Sequence, residues 1–318
     1  MPAVRSTLTR VRGLRVGQVE TPDGASGVTV VLFDAPAPIV VDVRGGASAT
    51  YDTASLALDA TFGRRWAVFF AGGSLYGLDA ARGVRTRILE TGGGHRAFDN
   101  PNPVVPISGA ALFDLPREPS GIPDYLPLGY EAALRASRGP VAEGAVGAGA
   151  GATVGKYRGR ARAMRGGVGS AAAPVGRLGT VGVLVAVNAV GAVRDPSSGR
   201  WVAGARGPGG GVVPPGPTRS GRERSTGTTL ALVVTELAVD RPTLARVAAV
   251  VHAGLSAAIW PFHSSTDGDV LFVASTGAVR PPRSERRPGE FADLLGFRAA
   301  GLAVDAVLSA VRSAKLRR

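Results

Sequence analysis

Arg224-Ser225-Thr226-Gly227-Thr228-Thr229-Leu230-Ala231-Leu232-Val233-Val234 changes character at its glycine. A polar, arginine-bearing loop stops there, and a run of apolar and β-branched residues begins that reads as a buried strand. Two hydroxyl residues, Thr228 and Thr229, open it. Threonine at a strand edge is ordinary, so spacing alone says only that a strand starts here. Further on, Asp240 and Pro242 signal a helix start, and Leu244, Val247, Ala248, Val251 and Leu255 recur at helical spacing. Val270-Leu271-Phe272-Val273-Ala274 then reads as a second strand. Strands alternating with helices in this way predict an α/β fold, with helices packed over central sheets.

The rest of the chain follows the same grammar. Strands are expected at Gly13–Gly17, Gly27–Leu32 and Ile39–Val43, separated by turns at Pro22-Asp23-Gly24 and Ala35-Pro36. A helical stretch is expected over Ala54–Ala60, a strand over Trp66–Phe70 and a helix from Tyr76. A further helix is read at Tyr130–Ala136, the strongest strand at Thr180–Asn188, and an amphipathic helix at Phe291–Val311. Residues 194–226 are rich in Gly, Pro, Arg and Ser and predict a long mobile loop that ends at Gly227.

Composition narrows the function. Among 318 residues, 45% are hydrophobic and 19% charged, which is the balance of a globular chain able to bury a core. No apolar run reaches 18 residues, so no membrane span is expected, and residues 1–15 lack a secretory h-region. With cysteine also absent, disulfides and thiolate sites are excluded, and a cytoplasmic location is expected. The net charge of +13 comes from arginines that are scattered apart from small clusters at Arg219–Arg224 and Arg283–Arg287. No nucleic-acid motif accompanies them, so no nucleic-acid partner is expected. His95, His252 and His263 do not sit at metal-ligand spacing, and no Gly-x-Ser-x-Gly elbow stands out. Neither metal nor cofactor is expected. His252 lies within a helical pattern and reads as packing, whereas His263, close to Asp267, is a candidate for lining a substrate pocket.

Several segments together carry a family resemblance. They are Arg44-Gly45-Gly46, the run from Gly72-Gly73-Ser74-Leu75-Tyr76-Gly77 to Val84, Val104-Val105-Pro106-Ile107, Leu112-Phe113-Asp114-Leu115, Gly227-Thr228-Thr229, His252-Ala253-Gly254-Leu255 and Thr266-Asp267-Gly268-Asp269. In these the chain resembles the self-processing DmpA-like L-aminopeptidase/D-esterase family from about residue 8 to about 312. The Thr nucleophile and the Asp-Gly-Asp segment are most similar to its nylon-oligomer (6-aminohexanoate oligomer) hydrolase branch. The resemblance implies a four-layer αββα sandwich of the N-terminal-nucleophile hydrolase type. It also implies cleavage into residues 1–227 and 228–318, with Thr228 as the new N-terminus and nucleophile, and a homo-oligomer of four or more subunits. One departure stands out: Gly227 occupies the position where the nylon-hydrolase branch tends to carry Asn. Glycine there allows positive-φ geometry at the cleaved bond.

The chemistry that follows is acyl transfer. An N-terminal threonine needs no histidine, because its own α-amine titrates near 7.7–8.0 and can take the hydroxyl proton. By resemblance, Lys156 keeps that amine neutral, Asn188 supplies an oxyanion donor, and Asp267 and Asp269 orient the amine and hydroxyl. Read without the family, Lys156 is a surface lysine, Asn188 a strand-end turn residue, and Asp-Gly-Asp a common turn. Ser74 and Tyr76 are candidates for the substrate pocket. The expected substrate is a small amide or peptide. Three functions remain open: hydrolysis of linear amide oligomers or small peptides, aminopeptidase/D-esterase action on peptide N-termini, and an uncleaved, noncatalytic basic binding protein.

Overall fold

The computed structural model describes residues 7–97, 99–115, 121–216, 225–281 and 289–316. Its principal elements are β1 (Leu14–Glu20), β2 (Gly27–Val43), β3 (Ala49–Tyr51), β4 (Arg64–Ala71), α1 (Ala80–Glu90), β5 (Ile107–Ala111), α2 (Tyr125–Leu134), β6 (Gly167–Pro174), β7 (Thr180–Asn188), β8 (Thr228–Leu237), α3 (Arg241–Ala258), β9 (Val270–Val279) and α4 (Glu290–Leu316).

These nine strands hydrogen-bond in the order β6-β7-β8-β9-β2-β4-β5-β3, with β1 added to β2. The pairings are antiparallel except β8–β9 and β4–β5, which are parallel. β8, α3 and β9 therefore form a strand–helix–strand crossover, as the helical spacing after Asp240 requires. Asp240 Oδ1 caps α3 by accepting from the Thr243 N–H at 2.9 Å.

β2 joins two sheets. Its first half pairs with β1 and β4, and its second half, Ile39–Val43, pairs with β9. Each sheet then alternates side chains between two faces. Leu230, Leu232 and Val234 of β8 meet Val31, Val68 and Phe70 of the other sheet in a central core. Ala231 and Val233 point the other way, into a second core with Leu244, Val251, Ala303 and Val307 of α3 and α4. On the far side, Val30 and Phe69 pack on Ala80, Val84, Ala132 and Ala133 of α1 and α2. The layers run helix, sheet, sheet, helix, which is the expected αββα sandwich. All ten residues of β8 are buried. Truncating a central residue such as Leu232 to Ala is expected to cost about 2–5 kcal/mol.

The structure corrects several boundaries. Gly27–Leu32 and Ile39–Val43 are one strand, not two. Pro36 falls in the register shift between Leu32 and Ala37, and Pro38 takes the end pair of the ladder with β4, opposite Arg64, so neither proline sits mid-ladder. Ala54–Ala60 is helical only over Ala54–Leu56, as a single 3-10 turn. α2 starts at Tyr125, not Tyr130, because Asp124 caps it and Pro127 falls in its first turn. Residues 194–216 are not a structureless loop: Ala192–Arg194, Trp201–Ala203, Ala205–Arg206 and Val212–Val213 form short antiparallel pairs. The clusters Arg219–Arg224 and Arg283–Arg287 lie outside the described residues. α4 is long and apolar enough to cross a membrane, but most of its apolar stretch is buried, against β6, β7 and α3.

Candidate functional site

The topology brings strand ends of both polarities to one edge of the sheet. β7 and β8 are antiparallel, so the last residue of one faces the first of the other: Asn188 is the register partner of Thr228. β8 and β9 are parallel, so the segment before Thr228 lies beside the segment before Val270, and Gly227 bridges to Asp267. β2 ends next to the start of β9, where the N–H groups of Arg44 and Gly45 donate to the Asp269 carbonyl at 3.1 and 3.2 Å. A Cβ at Gly45 would strike the backbone of the Asp267–Asp269 turn and one at Gly46 the backbone of Ser265, which accounts for the glycine pair after Arg44.

Thr228, Lys156, Asn188, Asp267 and Asp269 are all buried, with none more than 2% exposed. Lys156 Nζ donates to both the carbonyl oxygen of Asn188, at 2.6 Å, and its Oδ1, at 2.7 Å. Asn188 Oδ1 also accepts from the Thr153 N–H, and Asn188 Nδ2 donates to the Phe113 carbonyl at 2.9 Å. Two donors on one atom and one acceptor on the other fix the amide's orientation and leave one Nδ2 hydrogen free of these contacts. Thr228 Oγ1 donates to the carbonyl of Gly227, and that same carbonyl accepts from the Gly268 N–H at 2.9 Å. Asp269 Oδ1 accepts from the Thr229 N–H at 2.6 Å, and Asp267 Oδ1 accepts from the Val190 N–H at 3.2 Å.

Gly227 does not use the positive φ that glycine allows. Its glycine answers to space: a Cβ there would meet the Val190 nitrogen and Asp267 Oδ1. A Cβ at Gly268 would lie 2.8 Å from Thr228 Oγ1. The residues before the Gly227–Thr228 bond are tied down by Ser225 Oγ donating to the Lys156 carbonyl at 2.8 Å and Thr266 Oγ1 donating to the Ser225 carbonyl at 2.7 Å.

Burial controls the charges. It pushes the Lys156 ammonium down to about 7, helped by Arg160 and opposed by Asp267, Asp114 and Asp269. Burial thus brings Lys156 into the range where a proton is exchanged near neutral pH. Burial raises the Asp267 carboxyl, and the neighbouring Asp269 raises it further, against the lowering effect of its bonds to Ser264 and Val190.

The other three candidates separate. His263 does not stand free in a pocket: its N–H and Nδ1 both meet Asp269 Oδ2, at 3.1 and 3.0 Å, and its ring stacks on Phe262 with centroids 3.8 Å apart. His252 packs edge-on against it at 4.8 Å, and burial drives His252 down to about 4, so it is neutral at physiological pH. Ser74 and Tyr76 lie on the 3-10 segment Ser74–Asp79, and no hydrogen bond of either side chain reaches the Thr228 cluster. The turn before them does connect to it. Gly73 N–H donates to Asp114 Oδ1 at 2.7 Å, Ser74 N–H donates to the Leu112 carbonyl at 2.8 Å, and Phe113 between them holds Asn188. Asp114, Ser225, Ser264 and Thr266 were not named as site residues from sequence; the run of hydroxyls at Ser264-Ser265-Thr266 beside Asp-Gly-Asp is the signal that marks two of them.

The chain that carries this strand-opening threonine matches a known family along nearly its whole length. The profile of Peptidase family S58 matches residues 6–317. The chain belongs to peptidase family S58. It is 35% identical to a Mycobacterium tuberculosis protein named uncharacterized aminopeptidase, over 98% of this chain and 94% of the relative. It is 30% identical to the 6-aminohexanoate-oligomer endohydrolase of Kocuria sp., over 94% of this chain and 84% of that enzyme. In structure it resembles the L-aminopeptidase D-Ala-esterase/amidase of Ochrobactrum anthropi, described as a variant of the Ntn hydrolase fold. The TM-score is 0.68 at 20% identity, over 99% of this chain and 88% of that one. A Burkholderia sp. beta-aminopeptidase gives 0.67 at 19% identity, over 98% and 88%. The S58 member described here is thus a hydrolase of a peptidase family on an Ntn-type fold.

Proposed function

We propose that the chain cuts itself between Gly227 and Thr228 and then hydrolyses amide bonds with Thr228 as nucleophile. Its substrates would be linear amide oligomers, such as 6-aminohexanoate oligomers, or small peptides. The observation that carries the reading is the Thr228 hydroxyl lying on the carbonyl of Gly227, buried among Lys156, Asn188, Asp267 and Asp269.

In self-cleavage, Thr228 Oγ attacks the Gly227 carbonyl carbon, and the Gly268 N–H supports the developing oxyanion. The C–N bond breaks as the Thr228 nitrogen takes a proton, leaving an ester between Gly227 and Thr228. Water hydrolyses that ester, releasing the Gly227 carboxylate and a free Thr228 amine. In turnover the amine accepts the hydroxyl proton, Oγ attacks the substrate amide, and the leaving amine departs with the proton. Water then clears the acyl-ester. Lys156, poised near 7, exchanges protons in the working range, and Asp269 aims at the strand start that carries the amine.

A denaturing gel with N-terminal sequencing tests this. Two fragments, the smaller beginning at Thr228, are expected; a single band of 32.2 kDa would favour a noncatalytic binding protein.

A second reading, removal of N-terminal residues from peptides, is favoured by a cavity of about 380 Å³ lined by Ser26, Asp114, Ile122, Pro123 and Tyr125, where Asp114 follows Phe113, the residue whose carbonyl holds Asn188 Nδ2. Asp114 places in that cavity a carboxylate that suits a substrate's ammonium group.

A further inference from the structure

Two consecutive residues outside the reacting set treat the two site carboxylates in the same way. His263 directs its backbone N–H and its Nδ1 at Asp269 Oδ2, at 3.1 and 3.0 Å. Ser264 directs its backbone N–H and its Oγ at Asp267 Oδ2, at 3.2 and 2.6 Å. Each carboxylate is thereby gripped by one oxygen from behind. Its other oxygen turns to the site: Asp269 Oδ1 to the Thr229 N–H, and Asp267 Oδ1 to the Val190 N–H, beside the position a Gly227 Cβ would take.

We infer that His263 and Ser264 are positioning residues, a paired clamp that aims Asp269 and Asp267 at the Gly227–Thr228 strand start. The inference rests on the proposed role of Thr228. A carboxylate side chain turns freely about its last bond unless one oxygen is held, and a charge-assisted hydrogen bond to that oxygen supplies the hold. The His263 ring is committed to this contact. Nδ1 is its one hydrogen-bonding atom with a partner, and Nε2 is buried without one. The bond to Asp269 therefore sets the tautomer with the proton on Nδ1. The backbone is committed as well. His263 has φ 59, a left-handed conformation uncommon for a residue with a side chain, and in that conformation its N–H and ring nitrogen converge on one oxygen. Phe262 under the ring and His252 at its edge keep the ring in place. Ser264 lies on the next residue of the same turn, so any shift of the turn moves both carboxylates together.

The test uses the full-length chain with His263→Ala, His263→Asn and Ser264→Ala, each compared with the parent for self-cleavage half-time, kcat and KM on an amide substrate, and thermal midpoint. His263→Ala should slow cleavage and lower kcat by about ten- to hundredfold, the effect of losing a hydrogen bond to a charged group, with KM within about threefold. Asn tolerates positive φ and carries an amide N–H at the reach of Nδ1, so His263→Asn should recover most of the loss. Ser264→Ala deletes a single hydroxyl, leaves the turn's backbone bonds in place, and should lower kcat in the same direction; it decides the matter if His263→Ala fails to fold. Variants as fast as the parent, or an Asn variant as slow as the Ala variant at the same thermal midpoint, overturn the clamp and leave the Thr228 reading standing. A parent chain that neither cuts nor turns over removes the reading and the clamp with it.

Discussion

Asn188 faces Thr228 across the antiparallel ladder while Lys156 Nζ binds its carbonyl and its side-chain oxygen together. The amide accepts from a buried lysine and, under the proposed mechanism, would offer its remaining Nδ2 hydrogen to the oxyanion, two functions that substitution can separate. Asn188→Ala removes both, and turnover should fall by roughly 10²–10³-fold, the usual cost of one oxyanion donor. Asn188→Asp restores the acceptor for Lys156 but has no amide N–H. If the donor is what counts, Asp should be as slow as Ala in steady-state kinetics, even where its thermal midpoint returns to that of the parent.

Thr228 and Thr229 alternate across β8, and their hydroxyls differ. Thr228 Oγ1 lies on the Gly227 carbonyl, whereas Thr229 Oγ1 is buried with no hydrogen-bond partner. An unpartnered buried hydroxyl costs about 1–3 kcal/mol, so Thr229→Val should leave the thermal midpoint unchanged or higher and still yield two fragments. Thr228→Val should stay one chain and be inactive. Should the two variants behave in reverse, the nucleophile is Thr229.

Much of the framework was legible because it depends on local spacing. The apolar run Leu230–Val234 reads as a buried strand, and Asp240 with Pro242 reads as the start of α3. Thr228, Lys156, Asn188, Asp267 and Asp269 were singled out by family resemblance; spacing alone left them as edge, turn and surface residues. Their meeting depends on the β7–β8 register and the β8–β9 crossover, each of which pairs residues 40 positions apart. The clamp was not legible. Its bonds depend on the left-handed backbone at His263, and neither the histidine nor its neighbours announce that conformation. β2 departs from the expected pair of strands for a related reason: proline marks turns on average, and here Pro36 sits at a register shift inside one strand.

Substitution of Asp114 is expected to separate the two substrate classes. Burial raises its carboxyl, while bonds from the Gly73 N–H and Ser26 Oγ lower it. Asp114→Asn keeps the size and removes the charge. If the neighbouring cavity anchors a free amine, KM for substrates with an unblocked N-terminus should rise at least about tenfold, while N-acylated amides are unaffected. Equal effects on both would show that Asp114 serves only to hold the Gly73 turn.

Lys156 makes stability itself pH-dependent. Its folded value is about 7, against 10.5 for a free side chain, and burial is the main cause. Between these values the unfolded chain holds a proton that the folded chain lacks, so stability rises with pH across the window from about 7 to about 10.5. Below about 7 both states are protonated, and the full cost of burying the cation is present. Lys156→Met has no such group, and other titrations are common to both chains. Measured by urea unfolding in an uncut Thr228→Ala background, the parent should gain on Lys156→Met as pH rises from 7 to 10, with a slope approaching about 1.4 kcal/mol per pH unit. A difference that stays flat across that range would mean that Lys156 keeps its proton in the fold, held by Asp267, Asp269 and Asp114 against burial. Lys156 would then be a fixed cation, and its role in lowering the Thr228 amine would extend across the whole working range.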